Sequence, residues 1–168
     1  GLIFNAIQST PEELFAVIYG HDNNIIKSKA QANNVNLPKI NILPPIGPIR
    51  EVERVLDETY VKQNLLTSLF SMHFRNQISI FPERFERFRR MTQDSWKEVH
   101  IRDFQKGHME DETPHLLFVE NDGFPAEAGW LGHGLQMWLQ MMWFLAQCSN
   151  DSTVILDEPD VYLHADVQ

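Results

Sequence analysis

The sequence predicts an α/β fold: a mixed sheet carrying a helical insert. Three observations lead there. Turn-punctuated extended segments fill residues 1–49, and from Arg50 apolar residues recur every three or four positions with no Gly or Pro before Pro82. The chain then returns to strand-like runs and closes on a helix followed by the apolar run Thr153-Val154-Ile155-Leu156.

Each element follows from its local pattern. "GLIFNAI" and "FAVIYG" are β-rich runs, and "STPEEL" between them carries a helix-start signal. "KINILPPIGP" is a strand ended by Pro44, Pro45 and Pro48. Val52, Val55, Leu56, Leu65, Leu66, Leu69 and Phe70 space as one long amphipathic helix or two short ones. After Pro82, "ERFERFRRM" sets Phe85 and Phe88 toward a core, with Arg84, Arg87, Arg89 and Arg90 as a solvated basic face. "WKEVHIRDF" and "HLLFVEND" are two strands, "GFPAEAGW" a loop, and "LQMWLQMMWFLA" a buried helix on which Gln136, Gln140 and Gln147 mark the least buried side. These patterns divide the chain into 1–49, the remainder of a lobe built of strands; 50–100, the helical insert; and 101–168, a glycine loop, buried helix and final strand.

Composition limits the function. With 168 residues the chain can bury a core, and 23 acidic against 14 basic side chains give a net charge of −9, which argues against a surface that coats nucleic acid. One cysteine, Cys148, rules out an internal disulfide and fits a reducing, cytoplasmic setting. The longest greasy stretch is interrupted by Gln136 and Gln140 and is too short to span a bilayer. Seven histidines invite a metal hypothesis, but His100, His108 and His115 share no ligand spacing and read as structural or surface residues.

Two motifs carry chemistry. The first is "TVILDE": a continuous apolar run suits a strand covered on both faces, and ligands in open α/β sheets sit beyond the carboxyl ends of such strands. Alternation sends Asp157 and Glu158 in different directions, so that one can hold a magnesium ion while the other orients a water for phosphoryl transfer. On this assignment Asp157 is the metal ligand and Glu158 the catalytic residue. Taken alone, "DEP" also fits a solvated turn or a helicase-type Asp-Glu box. The second motif is "LGHGLQ": Gly132 and Gly134 allow close backbone approach, helix-start amides attract phosphate, and Gln136 adds a side-chain donor. Its plainer reading is a tight loop entering a buried helix.

Together, from Leu131 to Gln168, these residues resemble the ATP-binding-cassette (ABC) ATPases, in particular the soluble branch of SMC-like, RecF-like and OLD-type proteins. "LGHGLQMWLQMMWFLA" looks like the signature loop and its helix, "TVILDEPD" like Walker B with its glutamate, and "VYLHADVQ" like the D-loop region. The resemblance implies a head-to-tail homodimer binding ATP and Mg2+. Gly132, His133, Gly134 and Gln136 would meet the partner's nucleotide, Asp157 and Glu158 would serve the chain's own, and His164 would lie near the dimer seam. It further implies work on DNA or an effector-domain partner, with no membrane involved. The chain departs from the pattern where the signature serine is replaced and where Ala165 stands for the D-loop proline. No Gly-x-x-x-x-Gly-Lys-Ser/Thr occurs, so the chain reads as a piece without its Walker A loop, inactive when alone.

Overall fold

The structure, a computed structural model, describes residues 3–10, 13–20, 23–28, 30–31 and 39–157. It is a mixed α/β chain in two compact units, residues 1–39 and 40–168.

In the first unit, β1 (Ile3–Thr10) and β2 (Glu13–Tyr19) pair antiparallel, with Ala6 opposite Ala16 and a bulge between Gln8 and Thr10. Where "STPEEL" predicts a helix start, Ser9 and Thr10 end β1 and Glu13 and Leu14 begin β2; Pro11 and Glu12 lie outside the described residues. Cross-strand pairing of two apolar runs outweighs a local capping signal, because propensity is a weak prior beside tertiary context.

β3 (Lys39–Ile42), all but its first residue in the second unit, pairs with β7 (Ser152–Ile155); the Leu43 amide donates to the Ile155 carbonyl at 3.0 Å. A proline-rich strap, residues 43–49, follows. Its prolines remove backbone donors, so it joins no sheet, and side chains satisfy what remains. Ser71 Oγ accepts from the Gly47 amide at 2.7 Å, Gln136 Oε1 accepts from the Ile49 amide at 2.8 Å, and Gln140 Nε2 donates to the Gly47 carbonyl at 2.7 Å. Leu43 and Ile49 are buried in the core of this unit, which is why the observed division falls at Lys39/Ile40.

The helical period read from Arg50 onward does not begin there. Residues 50–57 are irregular, bridged to His115 at Glu53, and α1 runs only from Glu58 to Gln63, capped by Asp57, whose Oδ1 accepts from the Tyr60 amide at 3.0 Å. Helix α2 (Phe74–Ile80) and helix α3 (Phe85–Ser95) follow, separated by a 3-10 turn at Pro82–Arg84. On α3 the buried Phe88 meets Trp143 edge-on at 5.5 Å and Phe74 at 6.3 Å. Arg84 and Arg87 are not part of a solvated face. They turn to the end of α4 (His133–Gln147), donating to the Gln147 carbonyl at 2.6 Å and the Cys148 carbonyl at 2.7 Å, as cations at a helix C-terminus should.

Strands β4 (Val99–Gln105), β5 (Leu116–Asn121) and β6 (Phe124–Glu127) form an antiparallel sheet in that order. The third strand replaces the expected loop at "GFPAEAGW". Asp122 (φ 49°) and Gly123 (φ 81°) both take left-handed backbone, which closes a two-residue hairpin with the right twist. Pro125 is tolerated because β6 is an edge strand.

Candidate functional site

The glycine loop is built from the inside. Arg75, on α2 and fully buried, grips Glu127 with two parallel bonds, Nε to Oε1 at 2.7 Å and Nη2 to Oε2 at 2.5 Å, while Nη1 donates to the Arg50 carbonyl at 2.9 Å. Glu127 in turn accepts from the Gly129 amide at 2.8 Å and the Leu117 amide at 3.1 Å, fixing a 3-10 turn at Ala128–Trp130. On the other side of Arg75, buried Glu53 accepts from the Arg75 and Asn76 amides at 2.9 and 2.8 Å. It thus does from a distance what an N-cap side chain does locally, since His73 supplies no cap bond to α2. Burial pushes the Glu53 carboxyl above the usual carboxylate range, against the pull of those amides and the Arg75 charge.

Gly129 must be glycine. A Cβ there would sit 2.7 Å from the Arg50 carbonyl oxygen and 3.0 Å from Arg75 Nη2. Beyond it, Gln136 ties the loop shut: its Nε2 donates to the Gly129 carbonyl at 3.0 Å and the Leu131 carbonyl at 2.8 Å, while its Oε1 receives the strap. Gln140, one turn on, donates to the Gln136 carbonyl at 3.1 Å and to the strap.

Gln136 and Gln140 are therefore among the most buried residues of α4, at 3% and 0% exposure, and the expectation that they mark its least buried side is corrected. The side-chain donors of Gln136 are both committed within the fold, so its role here is to hold the loop. The sequence signal that could have found this is the i, i+4 pair of amides on an otherwise apolar helix, beside a proline-rich strap in need of partners.

What the helix start leaves uncapped is backbone. Helix α4 starts at His133 with Gly132 as N-cap, and its first helical bond is from the Gln136 amide to the Gly132 carbonyl at 3.1 Å. The amides of Gly132 through Leu135 precede that bond and have no intrahelical partner. Gly132 and His133 are exposed, Gly134 is half-buried, and a Cβ on Gly132 would meet nothing within 4 Å.

At the other end of α4, β7 alternates. Val154 and Leu156 pack on the core while Thr153 and Ile155 are exposed, so among the described residues this strand is covered on one face rather than both. Asp157 follows, exposed, just past the strand. Glu158 and His164 lie outside the described residues.

No group of three or more His, Cys, Asp or Glu residues among the described residues is placed to hold a metal ion, and no described helix is long and apolar enough to cross a membrane. A magnesium ion bound through phosphate and water needs only one or two protein carboxylates, so exposed Asp157 fits such an ion, and the uncapped amides at the start of α4 fit a phosphate group. His115 is buried, accepts at Nδ1 from the Gly107 amide at 3.0 Å and stacks on Phe104 at 5.7 Å. Burial first, then the charges of Lys106, Arg75 and His108, lower its pKa to about 4, so it stays neutral and structural. Burial likewise raises the Cys148 thiol, against Arg87 and Arg84, leaving it protonated.

The family described as "AAA domain, putative AbiEii toxin, Type IV TA system" matches residues 21–168, taking in the loop, α4 and β7. The chain belongs to this family. No curated protein and no solved structure matches it. This places the chain in a family of the P-loop, AAA-type ATPase kind, whose function is of the ATP-binding, ATPase type.

Proposed function

We propose that this AAA domain is the signature-loop and Walker B portion of an ABC-type ATPase of the SMC-, RecF- or OLD-like branch, working in the cytoplasm as a head-to-tail dimer. The observation that carries the reading is the start of α4, where the first helical amides carry no side-chain cap beside the exposed Gly132 and His133, on a loop fastened by Arg75, Glu127 and Gln136. Donors held in place before a ligand arrives cost no reorganisation when charge develops near them. Gly132, His133 and Gly134 would hold a phosphate of nucleotide carried by the partner subunit. Asp157 would ligate Mg2+, and Glu158 would orient the attacking water. His164 would lie at the dimer seam. When bound, ATP and Mg2+ supply the phosphoryl centre and its charge neutralisation. DNA maintenance or defence, with an effector domain as partner, is the setting this branch implies.

The test is ATP hydrolysis by the full-length protein. Turnover rising with protein concentration, and abolished in Glu158→Gln with binding retained, is the expected result. A second reading, a nucleotide-gated module without turnover, draws support from the loop's lack of any hydroxyl side chain between Gly132 and Gly134. Equal, near-zero rates in wild type and variant, with nucleotide still bound, would favour it.

A further inference from the structure

We propose that Glu53 is a positioning residue for turnover, acting through Arg75 and Glu127 on the helix start that, on the reading given above and resting on it, meets the partner subunit's nucleotide. Glu53 holds Arg75 at both ends. Its Oε2 accepts from the Arg75 backbone amide at 2.9 Å and lies 3.5 Å from Nη1 of the same residue, while its Oε1 accepts from the Asn76 amide and from Asn76 Nδ2, both at 2.8 Å. The guanidinium is thereby fixed in origin and in direction before it reaches Glu127.

The hold is passed on in short steps. Arg75 grips both oxygens of Glu127, and the same two oxygens accept from the amides of Leu117 on β5 and of Gly129. Gly129 is wedged between that carboxylate and the Arg50 carbonyl, which accepts from Arg75 Nη1 and would stand 2.7 Å from any Cβ at Gly129. Gly132, the N-cap of α4, is three residues on, and between the two Gln136 bonds the Gly129 and Leu131 carbonyls. A displacement of Arg75 thus reaches the loop with little slack to absorb it, and misplacing a reacting group by about 1 Å can cost about 100-fold in rate.

Stability alone is a poor reason for this cluster. Two carboxylates share one guanidinium, with every side chain at 4% exposure or less, and desolvation offsets much of what such pairing returns. Nor does α2 need a distant cap as such, since Ser, Asp or Asn at position 73 would serve locally; His73 stands there and makes no cap bond. A local cap would leave Arg75 unaimed. Glu53 caps the helix and aims the arginine at once.

ATP hydrolysis by the full-length protein, with subunits alone and mixed, tests this. Glu53→Gln should lower kcat about tenfold while KM for ATP changes less than about twofold, because the loop acts on the partner's nucleotide rather than the subunit's own. Val61→Ala, a buried change on α1 outside the cluster, should lower the melting temperature yet leave kcat within about twofold of wild type. Mixed one to one, Glu53→Gln and Glu158→Gln subunits should recover about a quarter of the wild-type rate, since about half the head-to-tail dimers then contain one intact site. A defect that merely loosens the fold would spoil the Glu53→Gln subunit's own metal end as well and give no recovery. Glu53→Asp, which keeps the charge and shortens the reach, takes the place of Glu53→Gln if that variant does not fold, with the same results expected. The proposal is overturned if the folded variant turns over at the wild-type rate, if Val61→Ala loses as much kcat, or if mixing recovers nothing. Wild-type turnover no higher than that of Glu158→Gln would instead overturn the ATPase reading, and the role of Glu53 with it.

Discussion

Two regions of this domain use polar residues in opposite ways. At the base of the glycine loop, Arg75, Glu53, Glu127, Asn76 and Gln136 are all buried and hydrogen-bonded to backbone or to one another. At the end of β7, Asp157 is exposed. The difference teaches a practical rule: a polar side chain whose donors and acceptors are committed inside holds structure, and one with free valences beside a strand end or helix start is free for a ligand. By that rule Gln136 belongs to the structural side, while the backbone at Gly132 to Gly134 is left without a side-chain cap.

The contrast breaks most visibly at Arg75. Arg75→Met leaves two buried carboxylates without their cation, and urea unfolding should show a loss of about 3–5 kcal/mol. Gln136→Leu keeps the volume but strands the Ile49 amide and the Gly129 and Leu131 carbonyls; about 1–3 kcal/mol should go in the same assay. Gly129→Ala forces a Cβ against the Arg50 carbonyl and should cost about 1–3 kcal/mol, whereas Gly132→Ala, facing open space, should change stability by only a few tenths of a kcal/mol. If the uncapped amides at the start of α4 meet nucleotide, Gly132→Ala should nonetheless weaken nucleotide-dependent dimerisation of the full-length protein, read by sedimentation. Asp157→Asn should leave the melt within about 0.5 kcal/mol of wild type while removing magnesium-dependent hydrolysis.

A pH series sharpens the structural side. His115 has its folded pKa lowered to about 4, so as pH falls from about 6.5 the unfolded chain takes up its proton first and stability declines until about pH 4. Glu53 runs the other way: its raised folded pKa means that stability from this group is fullest below the ordinary glutamate value and is lost as pH climbs through the folded one. His115→Gln should flatten the limb between about pH 4 and 6.5, measured as denaturant midpoint against pH.

Much of the fold was legible because period and composition agreed. The alternating runs of β4 and β5, the apolar length of α4 and the β-branched end at β7 lie where the sequence predicts them. The elements that were not legible depend on partners far along the chain. Glu53 interrupts a helical period because it caps α2 across 22 residues, and Gln136 turns inward because a proline strap 87 residues away lacks backbone partners. Strand β6 is different, since Asp122-Gly123 between β-rich runs is a hairpin signal in its own right that the adjacent Pro125 obscures. Of the site, the helix start was readable from Gly132 and Gly134, but no local pattern could reveal that Arg75, on another helix, sets its position.

The proline strap offers one more use. Ile49 donates its amide hydrogen to the same Gln136 side chain that clasps the loop carbonyls, and it is 4% exposed. That proton can trade with solvent only when the clasp opens, so its deuterium uptake is a clock for loop breathing, read 87 positions away from the residue that does the clasping.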